Sequence, residues 1–344
     1  MSGAHQFAGF GLSVSNEDDV GDVVALCRRA DALGFDEVSI PESRLHNSVF
    51  AAAAAVLVTT DRIRVRVGVT NPVTRHPAAL ALEAATLAGL GGANRLIFGI
   101  SAAEWTNRAL GFAPDGWKPF TNTVETFRAL RNWLAGEPLG FVPTTFRSSP
   151  ETRLDRPPAG RVQLDIGAVN ARLMEASGEL ADGVQLGALV SPGYVRWARD
   201  RLAAGAARVG RDVDECVVSS NVLVSVGADR RAARVAVREV LAYYLWRVEG
   251  IVVETSGADP DNVCAVRAAV ARSGAAAAAS LVSEQVIDTF AAAGTVDDVI
   301  DGLAAFADAG LDVPLAWHTL GPDREAALTM LAGPVRSAVT RVTT

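Results

Sequence analysis

The stretch Val69-Thr70-Asn71-Pro72-Val73-Thr74-Arg75-His76-Pro77 follows a strand-like run at residues 63–68 and leads directly into an amphipathic helix. It therefore marks a passage from a strand to a helix. In parallel α/β folds, loops that leave the carboxyl ends of strands hold ligands, because helix N-termini present free backbone N–H groups there. We expect the functional site to lie beside this loop.

Strand and helix alternate along the chain on both sides of the loop. Eight βα units are predicted, with strands at residues 7–14, 37–40, 63–68, 95–100, 161–167, 183–186, 216–226 and 313–319. These strands are too apolar for a sheet with one solvated face, and parallel strands need burial on both faces. The pattern therefore favours a closed (β/α)8 TIM barrel, an α/β fold, over a doubly wound sheet.

A single domain is predicted over residues 1–344, interrupted by two irregular regions. Residues 136–160 are interpreted as an irregular excursion, because Gly136-Glu137-Pro138 ends a helix. The alanine-rich segment 250–293 is interpreted as a helical insertion without a strand. After it, Thr295 with Asp298 three residues later predicts a capped helix.

Composition limits the class of partner. The chain is 49% hydrophobic and 21% charged, and its formal charge of −7 comes without a basic block. This composition argues against a nucleic-acid or membrane-surface partner and favours a small molecule.

The sequence indicates a cytoplasmic protein. It has three widely spaced cysteines without CxxC, no leader-like start and no apolar stretch of about 20 residues. No GxGxxG follows the first strand, GxxxxGK[ST] and HExxH are missing, and no metal site is predicted.

Several separate stretches resemble the luciferase-like monooxygenase and reductase superfamily, in the order found in that family. They are ALGFDEV at 32–38, RHPA at 75–78 with ATL at 85–87, ELADGV at 179–184, and GTVDDV at 294–299 with DAG at 308–310. Within the superfamily, the loop TNPVTRHP at 70–77 is most similar to the coenzyme F420-dependent branch typified by methylenetetrahydromethanopterin reductase.

The resemblance implies a (β/α)8 barrel that uses coenzyme F420 or a flavin. It implies an oxidoreductase that transfers a hydride from reduced F420 to a C=C or C=N bond of a small organic substrate while an acid supplies a proton. One alternative is an FMN-dependent luciferase-like monooxygenase served by a separate flavin reductase. A second alternative is a non-catalytic member that only binds the coenzyme. Family members are often homodimers, so a homodimer is expected.

The resemblance also assigns coenzyme-binding positions. The ring is expected against a bulge with a non-prolyl cis peptide at Gly68-Val69, and the phosphate is expected at a turn that opens a helix, Gly167 to Asn170. The complete set of expected coenzyme contacts is Pro41, Ser43, Gly68, Val69, Thr70, Asn71, Ser101, Ala102, Gly167, Ala168, Val169, Asn170, Gly187 and Ala188. An ordinary βα turn is the alternative interpretation of the phosphate turn.

Two carboxylates are candidates for the proton donor. Ser43 stands where many members of the family carry a histidine, so Glu42 and Glu104 are the catalytic candidates. The alternative for Glu42 is a salt bridge with an arginine such as Arg44, and for Glu104 it is exposure to solvent. Trp105 and His318 are candidate substrate contacts, although each could equally be a packing residue.

Arg75 and His76 invite a catalytic interpretation because a histidine stands beside an arginine. Their place at the start of a helix, before Pro77, favours instead a role in fixing the loop.

Overall fold

Parallel strands alternate with helices throughout the computed structural model, which describes residues 6–42, 45–112 and 116–341. The strands are β1 (Gly11–Ser13), β2 (Glu37–Ile40), β3 (Arg64–Thr70), β4 (Leu96–Ser101), β5 (Gln163–Gly167), β6 (Gly183–Gln185), β7 (Val217–Val226), β8 (Ala291–Gly294) and β9 (Val313–Leu320). The helices are α1 (Val20–Leu33), α2 (Val49–Thr59), α3 (Pro77–Gly91), α4 (Glu104–Ala109), α5 (Pro119–Leu134), α6 (Ala171–Leu180), α7 (Pro192–Arg208), α8 (Arg230–Ala236), α9 (Arg238–Arg247), α10 (Gly250–Glu254), α11 (Pro260–Ala278), α12 (Glu284–Phe290), α13 (Val296–Asp308), α14 (Arg324–Met330) and α15 (Arg336–Val339).

The strands close into a barrel. Their order is β6-β5-β4-β3-β2-β1-β9-β7, and β6 also pairs with β7, which joins the two ends of the sheet. Every pairing between these strands is parallel. The short β8 adds to the carboxyl half of β7, with Leu223 opposite Ala291. The predicted (β/α)8 barrel is confirmed.

The prediction that residues 250–293 contain no strand is wrong at the end of that segment. Ala291, Ala292 and Ala293 belong to β8 and are buried against β7. Their small side chains let α13 approach closely, since a Cβ atom on Gly302 would lie 3.1 Å from Ala292. Tertiary packing has therefore overridden the helical preference of alanine.

The predicted helix start at Thr295 is confirmed as a capping box. The Thr295 backbone N–H donates to the Asp298 carboxylate at 2.9 Å, and the Asp298 backbone N–H donates to the Thr295 hydroxyl at 3.4 Å. The reciprocal pair satisfies donors that the first turn of α13 would otherwise leave open. It fixes where the chain leaves β8 and enters α13.

Three charged residues, Glu37, Arg66 and Asp165, form a lumen ion cluster inside the barrel. The Arg66 Nε atom donates to a Glu37 carboxylate oxygen at 3.0 Å, its Nη1 atom donates to Asp165, and all three side chains are at most 2% exposed. Glycines make room for the carboxylates, because a Cβ atom on Gly11 would lie 2.8 Å from Glu37 Cγ and one on Gly183 would lie 2.6 Å from Asp165 Oδ1. The centre of the barrel is therefore ionic as well as apolar.

Helices α6 and α7 cross at very short range because glycine stands at the contact. A Cβ atom on Gly178 would lie 2.1 Å from the Leu202 carbonyl oxygen. We expect Gly178→Ala to lower the free energy of unfolding by about 1–3 kcal/mol, because the backbones must separate. Urea denaturation followed by circular dichroism measures the change.

A glycine in an open position provides the matched control for this substitution. Gly89 lies in α3, and apart from its chain neighbours and the nearby backbone of α3 no described atom comes within 4 Å of its Cβ position. Gly89→Ala should raise the free energy of unfolding by about 0.5–1 kcal/mol, because alanine is the better helix former. Changes of the same sign in the two variants would contradict the close-packing interpretation.

Within the described ranges, no single helix is long and apolar enough to cross a membrane. Residues 260–281 and the helix Glu284–Phe290, which are bent by 96° relative to each other, meet the length and composition criteria only as a pair.

Candidate active site

The predicted site residues gather at one end of the barrel, because the strands that precede them are parallel. Those at the carboxyl ends of β2 to β6 are Pro41, Glu42, Gly68, Val69, Thr70, Asn71, Ser101, Ala102, Gly167, Ala168, Val169, Asn170, Gly187 and Ala188. Ser43 lies outside the described residues.

The end of β3 is irregular, as predicted. The Gly68–Val69 peptide bond is cis, and the register between β3 and β4 shifts between Val67 and Thr70. A Cβ atom on Gly99 would lie 2.8 Å from Val69 Cγ1, and one on Gly167 would lie 3.2 Å from both Val69 methyl groups. The bulge therefore fits into space that glycines on β4 and β5 leave open.

Glu42 fixes the loop that follows this bulge. One carboxylate oxygen accepts hydrogen bonds from the Thr70 hydroxyl at 2.6 Å and from the Asn71 backbone N–H at 3.1 Å. The other oxygen accepts from Arg75 Nη1 at 2.5 Å, and the Glu42 side chain is only 12% exposed. The salt bridge expected as the alternative for Glu42 is therefore present, with Arg75 as its partner. Arg44, the arginine named as an example, lies outside the described residues.

Asn107 completes the support of the loop and was missed by the sequence analysis. The Asn71 side-chain amide donates to Asn107 Oδ1 at 2.6 Å, and Asn107 Nδ2 donates to the Ala102 carbonyl at 3.0 Å. Asn107 is fully buried in α4. The sequence offered only an asparagine shortly after a strand end; the burial that obliges its amide to find partners is visible in the structure alone.

Arg75 and His76 have the loop-fixing geometry expected for them. The Arg75 guanidinium lies 4.8 Å from the centre of the Phe50 ring. His76 Nδ1 accepts from the Ala78 backbone N–H at 3.1 Å, and its Nε2 lies 3.0 Å from the Arg147 carbonyl oxygen. His76 therefore caps α3 and joins it to the segment that follows α5.

The turn from Gly167 to Asn170 is braced by two neighbouring elements, β6 and α7. The Ala168 N–H donates to the Gln185 carbonyl at 3.1 Å, and the Tyr194 hydroxyl donates to the Val169 carbonyl at 2.9 Å. Burial, together with the charge of Glu249, raises the pKa of Tyr194, which keeps this donor protonated.

Asn170 ends this turn and caps α6. Its Oδ1 atom accepts from the Leu173 N–H at 3.0 Å. The other backbone donors in the first turn of α6 can meet an anion, which the positive end of the helix favours. The turn is therefore suited to a phosphate group.

Glu104 is exposed to solvent, as the alternative interpretation of it predicted. It opens α4, directly after Ala103, whose φ of 47° is left-handed. The Glu104 side chain is 51% exposed and accepts hydrogen bonds from Arg108 at 2.7 and 3.1 Å. The side chain of Trp105 lies outside the part of the chain that the structure describes.

His318 lies near the carboxyl end of β9, and its side chain is exposed. Its ring contacts Trp317, with centroids 5.4 Å apart, and Trp317 contacts Tyr244 of α9 at 4.7 Å. The left-handed φ of 71° at His318, like that of 59° at Leu320, is costly for residues with a Cβ atom and is typical of functional sites. Tyr244 thus belongs to an aromatic cluster at this end.

Known proteins resemble this chain along almost its whole length. It is 29% identical over 324 residues to a 5,10-methylenetetrahydromethanopterin reductase of Methanolobus tindarius, covering 94% of this chain and 98% of that protein. It is 24% identical over 326 residues to an F420-dependent glucose-6-phosphate dehydrogenase of Rhodococcus erythropolis, covering 90% of each.

A solved structure and a family profile give the same fold and family for this chain as these relatives do. The solved structure of the coenzyme F420-dependent tetrahydromethanopterin reductase from Methanopyrus kandleri superposes with a TM-score of 0.89 at 25% identity, covering 97% of this chain and 100% of that one. The sequence profile described as luciferase-like monooxygenase matches residues 2–313, which is most of the chain. The protein therefore belongs to the luciferase-like monooxygenase family.

Proposed function

We propose that this protein is a coenzyme F420-dependent oxidoreductase that transfers a hydride to a C=C or C=N bond of a small organic substrate. The observation that carries the proposal is the loop Thr70–Asn71, held by Glu42 beside a braced, phosphate-compatible turn at Gly167 to Asn170. Relatives that match most of the chain are named as reductases or dehydrogenases, and the Rhodococcus protein is named as F420-dependent.

The residues present suit a planar coenzyme with a phosphate-bearing tail. Glycines at 68, 99 and 167 have no side chains to project into the lumen around the bulge at β3, and Val69 lies among them. Val69, Thr70 and Asn71 would hold the ring, and the turn ending at Asn170 would hold the phosphate. When bound, reduced coenzyme F420 supplies the hydride.

The two candidate carboxylates suit different tasks. Glu42 already accepts three hydrogen bonds, so its geometry is that of a positioning residue for Thr70 and Asn71. Glu104 is bonded through one oxygen, Oε1, to an exposed arginine, Arg108, and its side chain is 51% exposed. We therefore assign the proton donor to Glu104 and the support of the ring-binding loop to Glu42.

Titration with the two coenzymes tests the proposal. We expect coenzyme F420 to bind with a Kd on the order of micromolar and FMN to bind at least about tenfold more weakly. Fluorescence of each coenzyme measures binding. Micromolar binding of FMN without binding of F420 would defeat the proposal and favour the monooxygenase alternative.

Turnover without oxygen separates the remaining alternatives. With a panel of unsaturated and imine substrates, oxidation of reduced F420 should proceed at the same rate in anaerobic and aerated buffer. Strict dependence on oxygen would indicate a monooxygenase. Tight F420 binding with no turnover of any panel member would favour a non-catalytic, coenzyme-binding protein.

A further inference from the structure

Gln185, the last residue of β6, reaches across the barrel lumen to the bulge on β3. Its Nε2 atom donates to the Gly68 carbonyl oxygen at 3.4 Å, and the residue is 5% exposed. A Cβ atom on Gly68 would lie 2.7 Å from Gln185 Oε1 and 2.2 Å from the Ser39 hydroxyl oxygen. Gly68 is therefore enclosed by polar side chains from β2 and β6, with no room for a larger residue.

The bulge on β3 makes a side-chain donor useful at the Gly68 carbonyl. The ladder between β3 and β4 is interrupted between Val67 and Thr70. Backbone carbonyls at such an interruption lose their regular partners, and a buried carbonyl without a partner is costly. The amide of Gln185 supplies a donor at this point without placing a charge in the lumen.

The same residue also contacts the candidate phosphate turn. The Gln185 backbone carbonyl accepts from the Ala168 N–H at 3.1 Å, and Gln185 stands opposite Gly167 in the pairing of β5 with β6. One residue thus bonds to both parts of the candidate coenzyme site. Its side chain acts on the ring support, and its backbone acts on the turn.

We propose that Gln185 is a positioning residue for the coenzyme, which holds Gly68 and the following loop at a fixed distance from the turn at Gly167. This inference rests on the proposed function. Gln185 Oε1 is buried and meets no hydrogen-bond donor among the described residues. The side chain is therefore placed by its bond to Gly68 and by packing, so an apolar residue of similar size can replace it while losing that bond.

The test replaces this amide and measures the binding of two probes. Gln185→Leu should raise the Kd for coenzyme F420 about fivefold to tenfold, the effect of losing one buried hydrogen bond. Binding of the phosphate-free deazaflavin fragment should weaken by the same factor, because the Gln185 side chain acts on the part of the site that supports the ring. The visible absorption band of the bound coenzyme should also shift toward its position in water.

Gln163→Leu is the matched control, since Gln163 begins β5 and its amide donates to Asp165 at 2.9 Å, within the lumen ion cluster. Its F420 Kd should be unchanged even if its thermal midpoint falls. Three outcomes would overturn this inference while leaving the proposed function intact. They are an unchanged Kd in Gln185→Leu, weaker binding of the complete coenzyme but not of the fragment, and equal losses of affinity in both glutamine variants. Absence of F420 binding by the wild type would overturn the proposed function and this inference with it.

Discussion

Replacing Arg66 with methionine is expected to lower the free energy of unfolding by about 3–5 kcal/mol, because it leaves buried carboxylates without their counter-charge. Arg66 is fully buried and pairs with both Glu37 and Asp165. Burial by itself would lower the pKa of Arg66, but the two carboxylates raise it, so the guanidinium stays charged. Guanidinium chloride denaturation at neutral pH measures the loss.

A surface arginine provides the matched control. Arg230 pairs with Asp298 at 3.0 Å, but its side chain is 59% exposed. Arg230→Met should change the free energy of unfolding by no more than about 1 kcal/mol, because solvent screens exposed pairs. If both variants lost the same stability, the burial of the lumen ion cluster would not be the cause.

The loss caused by Arg66→Met should depend on pH. Burial raises the pKa of Asp165 above its usual 3.8, and Arg66 opposes that rise, so removing Arg66 should raise the pKa further. A carboxyl group whose pKa is higher in the folded protein than in the unfolded chain binds its proton more tightly when folded. Relative to the wild type, the variant should therefore lose further stability as the pH rises above the raised pKa that Asp165 already has in the wild-type protein. Equal losses at about pH 5 and about pH 7.5 would contradict the assignment.

The fold was predictable because its local signals agree with its tertiary structure. Apolar strands alternate with helices, and Thr295 with Asp298 carries the capping signal in four consecutive residues. Each of these features depends on residues close together in the chain. The strand at Ala291 was missed because the extended conformation of its alanines is determined by contacts with β7 and α13 and not by a pattern within the segment itself.

The lumen ion cluster was missed for a different physical reason. Arginine alternates with apolar residues along β3, at Arg64 and Arg66, which in a one-sided sheet would place the arginines toward solvent. In a closed barrel the alternate face points inward, so Arg66 requires carboxylates from β2 and β5. These partners are 29 and 99 residues away from it, and no local pattern identifies them.

The sequence predicted where the residues of the candidate site lie, but it did not predict the contacts between them. The resemblance indicated the cis peptide at Gly68–Val69 and the helix-opening turn at Asn170, and the structure has both. Sequence could not show that Glu42 accepts three hydrogen bonds, or that Asn107 supports Asn71, because those contacts join different βα units. The distinction between a proton donor and a positioning carboxylate depends on such contacts.

Glu104→Gln is expected to lower kcat about 100-fold, which is about 2.7 kcal/mol in activation free energy, because the amide cannot supply the proton. The Kd for coenzyme F420 should stay unchanged, since Glu104 contacts Arg108 rather than the ring-binding loop. Stability should also change little, because the pair is exposed and lies within one helix. Single-turnover oxidation of reduced F420 with saturating substrate measures the effect.

Glu42→Gln is the matched substitution on the neighbouring strand, and it should change binding instead of chemistry. An amide NH2 group would face either Arg75 or the two donors at Thr70 and Asn71, so at least one hydrogen bond becomes a repulsion. We expect the Kd for F420 to rise about tenfold, with a much smaller loss of kcat at saturating coenzyme. A hundredfold loss of kcat in Glu42→Gln, with normal turnover in Glu104→Gln, would reverse the two assignments and make Glu42 the proton donor.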